Sequence, residues 1–179
     1  LRSGPAGASV SLSGGNVVVR SDAAQGTATV DYTLSDGSLS ASGSFTVWVG
    51  GNTAPTSSSA SRTVNEDNTL TLGTSDFAFV DAEQAAGQSL SSIVITSLPA
   101  HGQLLLNDSV VQLVGGQAII SAADIAAGKL TFVPAANASG DSYASFGFKV
   151  VDSGGLASSS SYTLNINVTP VNDAPQINS

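Results

Sequence analysis

Apolar and polar residues alternate with a period of two through most of this chain, and almost no segment of ten or more residues keeps the 3.6-residue period of an amphipathic helix. The alternation is broken at short intervals by Gly14-Gly15, Ser21-Asp22 and Ser35-Asp36-Gly37. These residues supply the positive φ angles that tight hairpins require. Such a pattern gives each strand one apolar and one polar face, so it predicts an all-β chain with sheets stacked into a sandwich. The first stretch reads as strands over 8–12, 16–20, 26–34 and 42–49. Residues 56–62 are polar and read as a solvated linker or a frayed edge strand. Strands then follow over 69–72, 91–98, 102–106, 110–114, 117–120, 130–133, 143–151 and 160–168. Residues 121–128 form the one plausible helical turn, with Ser121 as its cap and Gly128 as its stop.

Two punctuation marks divide this pattern. Val171-Asn172-Asp173-Ala174-Pro175 and its weaker echo Gly51-Asn52-Thr53-Ala54-Pro55 each follow an alternating run and end in a proline that stiffens the chain. They stand 120 residues apart (175 minus 55), an ordinary domain length. The approach to each joint repeats as well. Val17-Val18-Val19-Arg20 and Val30-Asp31-Tyr32-Thr33-Leu34-Ser35-Asp36-Gly37 precede the first. Leu130-Thr131-Phe132-Val133 and Phe146-Gly147-Phe148-Lys149-Val150-Val151-Asp152-Ser153-Gly154 precede the second.

The expected layout is therefore the closing part of one repeat over residues 1–54, a complete repeat over 55–175, and the start of a further linker over 176–179. The chain reads as a piece of a tandem array cut at or near its joints. Half a sandwich leaves an apolar face and open strand edges, which are aggregation hazards. Residues 1–54 are expected to be completed by further sequence, by packing on the second domain, or by a second copy in a strand-swapped dimer; otherwise the chain is expected to be a monomer.

Composition narrows the chemistry. Eleven Asp and two Glu against five Lys and Arg give a formal charge of -8, which disfavours nucleic acid and anionic lipid and favours a cation as partner. With no Cys and no Met, disulfides and thiolate metal sites are excluded, so a metal site would be built from oxygens, which suits calcium. No apolar window is long enough for a transmembrane helix, and no membrane insertion is expected. Asp81-Ala82-Glu83 sets two carboxylates two residues apart, on one side if extended, beside loop carbonyls. Each of these acids either solvates a loop tip or ligates a cation.

Six motifs in order now resemble one family. They are Asn65-Glu66-Asp67; Val80-Asp81-Ala82-Glu83; Leu98-Pro99-Ala100-His101-Gly102; Leu130-Thr131-Phe132-Val133-Pro134; Val151-Asp152-Ser153-Gly154-Gly155; and Val171-Asn172-Asp173-Ala174-Pro175. The order is similar to that of the cadherin-like tandem repeats of large secreted bacterial adhesins of the RTX type. The resemblance covers residues 56–175 and part of 16–55. It implies an Ig-like or cadherin-like β-sandwich, exported by a type I system to the bacterial surface, strung between neighbouring repeats of the same polypeptide and stiffened by Ca2+ at the joints. It implies metal ligands Asp81, Glu83 and Asp152 at the end facing the first domain, Glu66 with Asn172 and Asp173 at the opposite end, and Asp36 in the first segment as the counterpart of Asp152. The chain departs from the family at Asn52-Thr53, where Thr53 stands in place of an acid, which weakens a calcium cluster at that joint.

Other functions have thinner support. His101 stands alone in a turn with no nucleophile nearby in sequence, the acids lie in polar loops unsuited to paired acid-base work, and no enzyme is expected. Asp124 and Asp141 read as helical-turn and turn residues. Lys149 alternates with Phe148 and Val150 and is expected to face solvent. Phe146, Phe148 and Val150 share one face, as do Val30, Tyr32 and Leu34, and both sets are expected in cores. If Phe45, Val47 and Val49 point inward, Trp48 points out, to pack on the linker or half domain or to stack on a sugar. That opens the alternative of a glycan- or peptide-binding region, with the incomplete first domain as its scaffold. Three glycosylation sequons begin at Asn107, Asn137 and Asn167, and an Asn- and Ser-rich chain produces these by chance.

Overall fold

The computed structural model describes residues 8–13, 16–21, 26–49, 51–84 and 87–172, with side chains from 29, 31–45, 51–84 and 87–172. The chain forms two compact units: residues 1–53 together with 83–87, and residues 54–82 together with 88–179.

In the first unit, β1 (Ala8–Ser13) and β2 (Asn16–Ser21) pair antiparallel, Val10 opposite Val19 and Leu12 opposite Val17. A longer hairpin follows, β3 (Gly26–Ser35) with β4 (Ser40–Val49), in register from Gly26↔Val49 to Ser35↔Ser40. Directly opposed residues share a face. One face therefore carries Tyr32 and Leu34 with Ala41, Gly43 and Phe45; the other carries Thr29, Asp31 and Thr33 with Ser42 and Ser44. Tyr32 and Phe45 lie 6.3 Å apart between ring centroids, and the Tyr32 ring occupies the space a Cβ on Gly43 would need. The expectation that Val30, Tyr32 and Leu34 form a core is corrected for Leu34, which is 66% exposed; Tyr32 is half-buried against Phe45, itself 42% exposed, and the Val30 side chain lies outside the described residues. A two-stranded ribbon has no second layer of its own, so its apolar face stays wet unless another element covers it.

The second unit is a two-layer sandwich. Its strands are β5 (Ala60–Asn65), β6 (Leu70–Thr71), β7 (Leu90–Ser97), β8 (Gln103–Leu106), β9 (Ser109–Val110), β10 (Ala118–Ser121), β11 (Leu130–Val133), β12 (Gly140–Asp152) and β13 (Tyr162–Thr169). One sheet runs β10-β7-β12-β13-β5 and the other β6-β11-β8-β9. Neighbours are antiparallel except β13 and β5, which pair in parallel from Leu164↔Ala60 to Thr169↔Asn65. The large sheet sends Ile93, Ile95, Phe146, Phe148, Val150, Leu164 and Ile166 inward. The small sheet meets them with Leu70, Leu104, Leu130 and Phe132, all in one buried cluster. Phe77 packs in the same cluster, edge-on to Phe148 at 5.0 Å and tilted to Phe146 at 6.5 Å. The all-β sandwich read from the alternation is the fold observed.

Two local readings resolve differently. The capped helical turn is present: α1 (Ala122–Ala126) starts at Ser121, whose Oγ accepts the Asp124 N–H at 3.0 Å, and Gly128 sits at φ +71° just past its end. The polar stretch over 56–62, in contrast, divides: residues 56–59 precede the strand, and 60–62 open β5, a full six-residue strand at the edge of the large sheet. Its core-facing parity is Ala60, Arg62 and Val64, and the Arg in the middle hid the period. The Arg62 guanidinium pairs with Asp76, which is 6% exposed and also accepts the Gly73 N–H at 2.8 Å, so the inward charge is neutralised where it enters the sandwich.

Because Phe77 is 1% exposed and touches both central aromatics, Phe77→Ala is expected to destabilise the second unit by about 3–5 kcal/mol. Equilibrium denaturation monitored on the Tyr and Trp signals measures it, and a loss below about 1 kcal/mol contradicts a central role for this ring.

Candidate functional site

Strand directions fix the two ends of the second unit. β12 ends at Asp152 opposite Leu90, where β7 begins, and β13 begins beside Phe148 of the same strand. β5 runs parallel to β13, so β5, β7 and β13 all start at the end where β12 finishes. At the far end β5 and β13 finish and β12 starts.

The end where β5 begins holds two of the acids singled out from sequence. Asp152 is fully buried, and its Oδ1 accepts the Leu156 N–H at 2.8 Å. The backbone reinforces this hairpin: Asp152 N–H donates to Leu156 O at 3.0 Å, and Gly155, at φ +92°, donates to Asp152 O at 3.1 Å. Glycine at 155 suits this turn, since a left-handed residue there has no Cβ to strain. Gln88 Oε1 holds the turn from the other side, accepting the Gly154 N–H at 3.1 Å and the Ser153 hydroxyl at 3.3 Å. Asp81, 8% exposed, follows Val80, whose N–H and C=O exchange hydrogen bonds of 3.0 and 2.8 Å with Thr56. Thr56 lies four residues ahead of β5, and this bridge brings Asp81 to the same end of the sandwich as Asp152.

Glu83 belongs to the first unit. It is 1% exposed, and its Oε2 accepts the Thr53 hydroxyl at 2.7 Å. Asp81 and Asp152 are counted in the second unit.

At the far end Glu66, 8% exposed, accepts the Val171 N–H on Oε1 at 2.6 Å while its own N–H donates to Thr169 O at 2.9 Å. The carboxylate thereby clasps the departing chain one residue before Asn172, which is exposed. Asp173 lies outside the described residues. Next to Glu66, Asp67 at φ 61° accepts the Asn137 N–H at 2.9 Å, a contact across 70 residues that sequence reasoning did not find.

Asp36 works as a turn residue. Its Oδ1 accepts the N–H groups of Ser38 and Leu39, both at 2.8 Å, and these bonds, that from Leu39 foremost, lower its pKa below the ordinary aspartate value. Asp124 is lowered too, first by its hydrogen bond from Lys129 at 2.7 Å and then by the Ser121 hydroxyl.

Of the five buried acidic side chains among the described residues, four are Asp81, Glu83, Asp152 and Glu66, and the fifth is Asp76. Asp76 was missed because its partner Arg62 is distant in sequence; the one signal was an Arg at an inward parity of β5. The donor set suits a hard cation, being carboxylates and loop carbonyls with no sulfur. Among the described residues no three Asp, Glu or His side chains form a ready-made metal-binding group.

His101 is exposed and lies tilted against Tyr143 with ring centroids 5.7 Å apart, and Lys149 is half-buried, donating to Ser159 O at 3.1 Å. Asn107 and Asn137 lie on exposed turns, whereas Asn167 is tied to Ser142 and Ser61. The Trp48 side chain lies outside the described residues. No helix of the described chain is long and apolar enough to cross a membrane. No protein-family model matches the sequence, and comparison with curated proteins finds no match.

Both lowered aspartates contribute stability that is present above the free-aspartate pKa of 3.8 and is lost as pH falls through their lower folded values. Carboxyl-carbon NMR titration is expected to place the midpoints of Asp36 and Asp124 below 3.8, and the Asp124 midpoint is expected to rise in Lys129→Ala.

Proposed function

We propose that the chain is an extender repeat of a bacterial cell-surface adhesin, spacing other domains outward, with calcium at its joints. The observation that carries this reading is the parallel pairing of β5 with β13. Parallel first and last strands deliver the chain to one end of the second unit and release it at the other, so successive repeats are threaded head to tail. An antiparallel closure would return the chain to the end it came from. The eight residues of β13 span roughly 25 Å, which sets the advance contributed by the strand layer.

Asp81 and Asp152, buried in loops at the end where the chain arrives, would hold calcium together with neighbouring carbonyls; Glu66, Asn172 and Asp173 would serve the end where it leaves. Bound calcium would supply a positive charge shared among several oxygens, and this chain's part is to hold those oxygens in place. Asp152 is held by the Leu156 N–H and Asp81 by the Thr56–Val80 bridge. A cation that binds only the ordered joint stabilises it by mass action, about 2.7 kcal/mol at a hundred times Kd. Without it, the net negative charge of neighbouring repeats pushes them apart.

Millimolar calcium is expected to raise the Tm of the full chain over a chelated sample, and Asp81→Asn with Asp152→Asn is expected to abolish the rise. An unchanged Tm in the wild type removes calcium from the reading.

A second reading, a peptide- or glycan-binding region, draws on the open apolar face of β3 and β4 at Leu34 and Phe45. A specific array hit lost on Phe45→Ala or Trp48→Ala selects this reading; an array without hits leaves spacing as the function.

A further inference from the structure

We infer that the first joint is closed by a hydrogen bond where the second carries an acid suited to a cation, with Thr53 as the latch residue and the buried Glu83 carboxylate as its keeper. The inference rests on the reading of the two joints as equivalent positions in a repeat. The chain makes the comparison internally. Asn52-Thr53-Ala54-Pro55 and Asn172-Asp173-Ala174-Pro175 agree at three positions of four, and differ only in Thr53 against Asp173.

The difference changes what Glu83 can meet. A carboxylate at position 53 facing the Glu83 carboxylate would place two negative charges together out of water, an arrangement that needs a cation between them. A hydroxyl needs none, because it donates. Thr53 Oγ1 does so to Glu83 Oε2 at 2.7 Å, a charge-assisted hydrogen bond from a half-buried donor to an acceptor 1% exposed. It joins residues 30 apart in sequence and ties 83–87 to the last residue of the first unit. Thr53 is also well suited to stay in place. A β-branched side chain has few χ1 states to lose, and Pro55, buried two residues on, fixes its own φ and restrains Ala54 before it.

The consequence is a division of labour between joints. The Thr53–Glu83 latch is ordered with or without calcium, so this joint keeps its local structure when the cation is withdrawn, while calcium sensitivity resides in Asp81 and Asp152 and in the joint at Asn172-Asp173.

Hydrogen–deuterium exchange on the full chain tests this through peptides covering residues 51–56 and 80–84, in chelator and in millimolar calcium. Thr53→Val keeps the shape and removes the donor; it is expected to speed exchange in these peptides about tenfold in both conditions. Thr53→Ser keeps the donor and is expected to match the wild type. Thr53→Asp is expected to exchange fast in chelator and to return to the wild-type rate with calcium. Wild-type exchange in Thr53→Val, or its rescue by calcium, overturns the latch, as does a Thr53→Asp variant that is indifferent to calcium. If the wild-type Tm ignores calcium while Thr53→Val still loosens in chelator, the calcium reading fails and the hydrogen-bonded closure stands.

Discussion

The parallel pairing of β5 with β13 is the constraint on which the rest of the second unit depends. Parallel neighbours cannot be joined by a tight turn, so the whole sandwich is built on the chain that runs from Asn65 to Tyr162. In exchange, β13 gains a hydrogen-bonded partner on its outer side and the ends of the unit become chemically distinct. Every assignment of an acid to the arriving or the departing end follows from that direction. A β5 paired antiparallel would have carried Glu66 to the end where Asp152 lies, and the same carboxylates would have described a different molecule.

Burial separates the two units in kind. In the second, two sheets offer each other apolar faces, and the aromatics Phe77, Phe132, Phe146 and Phe148 are almost fully removed from water. In the first, the long hairpin has the same alternation and the same hydrogen-bonded register, yet Leu34, Leu39 and Phe45 remain exposed. Alternation makes a strand amphipathic; it does not supply the surface that covers it. The one charged side chain on the inward parity of β5, Arg62, is tolerated because it donates to Asp76, whose carboxylate is held from a neighbouring turn by the Gly73 N–H. Removing Arg62 would leave the buried Asp76 carboxylate without its ion partner.

The acids at the ends illustrate how one residue type takes different roles from its surroundings. Asp36 and Asp152 each use the side-chain carboxylate to accept a backbone N–H of their own turn. Asp36 is exposed on a hairpin tip, whereas Asp152 is fully buried beneath the start of β7. Glu66 closes on the outgoing backbone and Glu83 on a linker hydroxyl. Hydrogen bonds to a buried carboxylate fix its direction, which makes these acids positioning elements of the chain as well as prospective cation ligands.

Much of this was legible in the residues. Period-two alternation and the Gly and Asp turn signals determined an all-β sandwich. Ser121 and Gly128 bounded the short helix, and Asp81, Glu83, Asp152 and Glu66 stood out as loop acids in a chain without sulfur ligands. These are local properties, set by backbone sterics and side-chain parity over a few residues. Tertiary structure alone decided the rest: that Ala60–Asn65 is a strand parallel to the last one, that Arg62 faces Asp76, that Thr53 donates to Glu83, that Asp81 lies at the same end of its unit as Asp152, and that Leu34 and Phe45 on β3 and β4 are exposed. Each of those depends on a partner 14 to about 100 residues away or on a covering layer, and no local pattern records which distant segment will arrive.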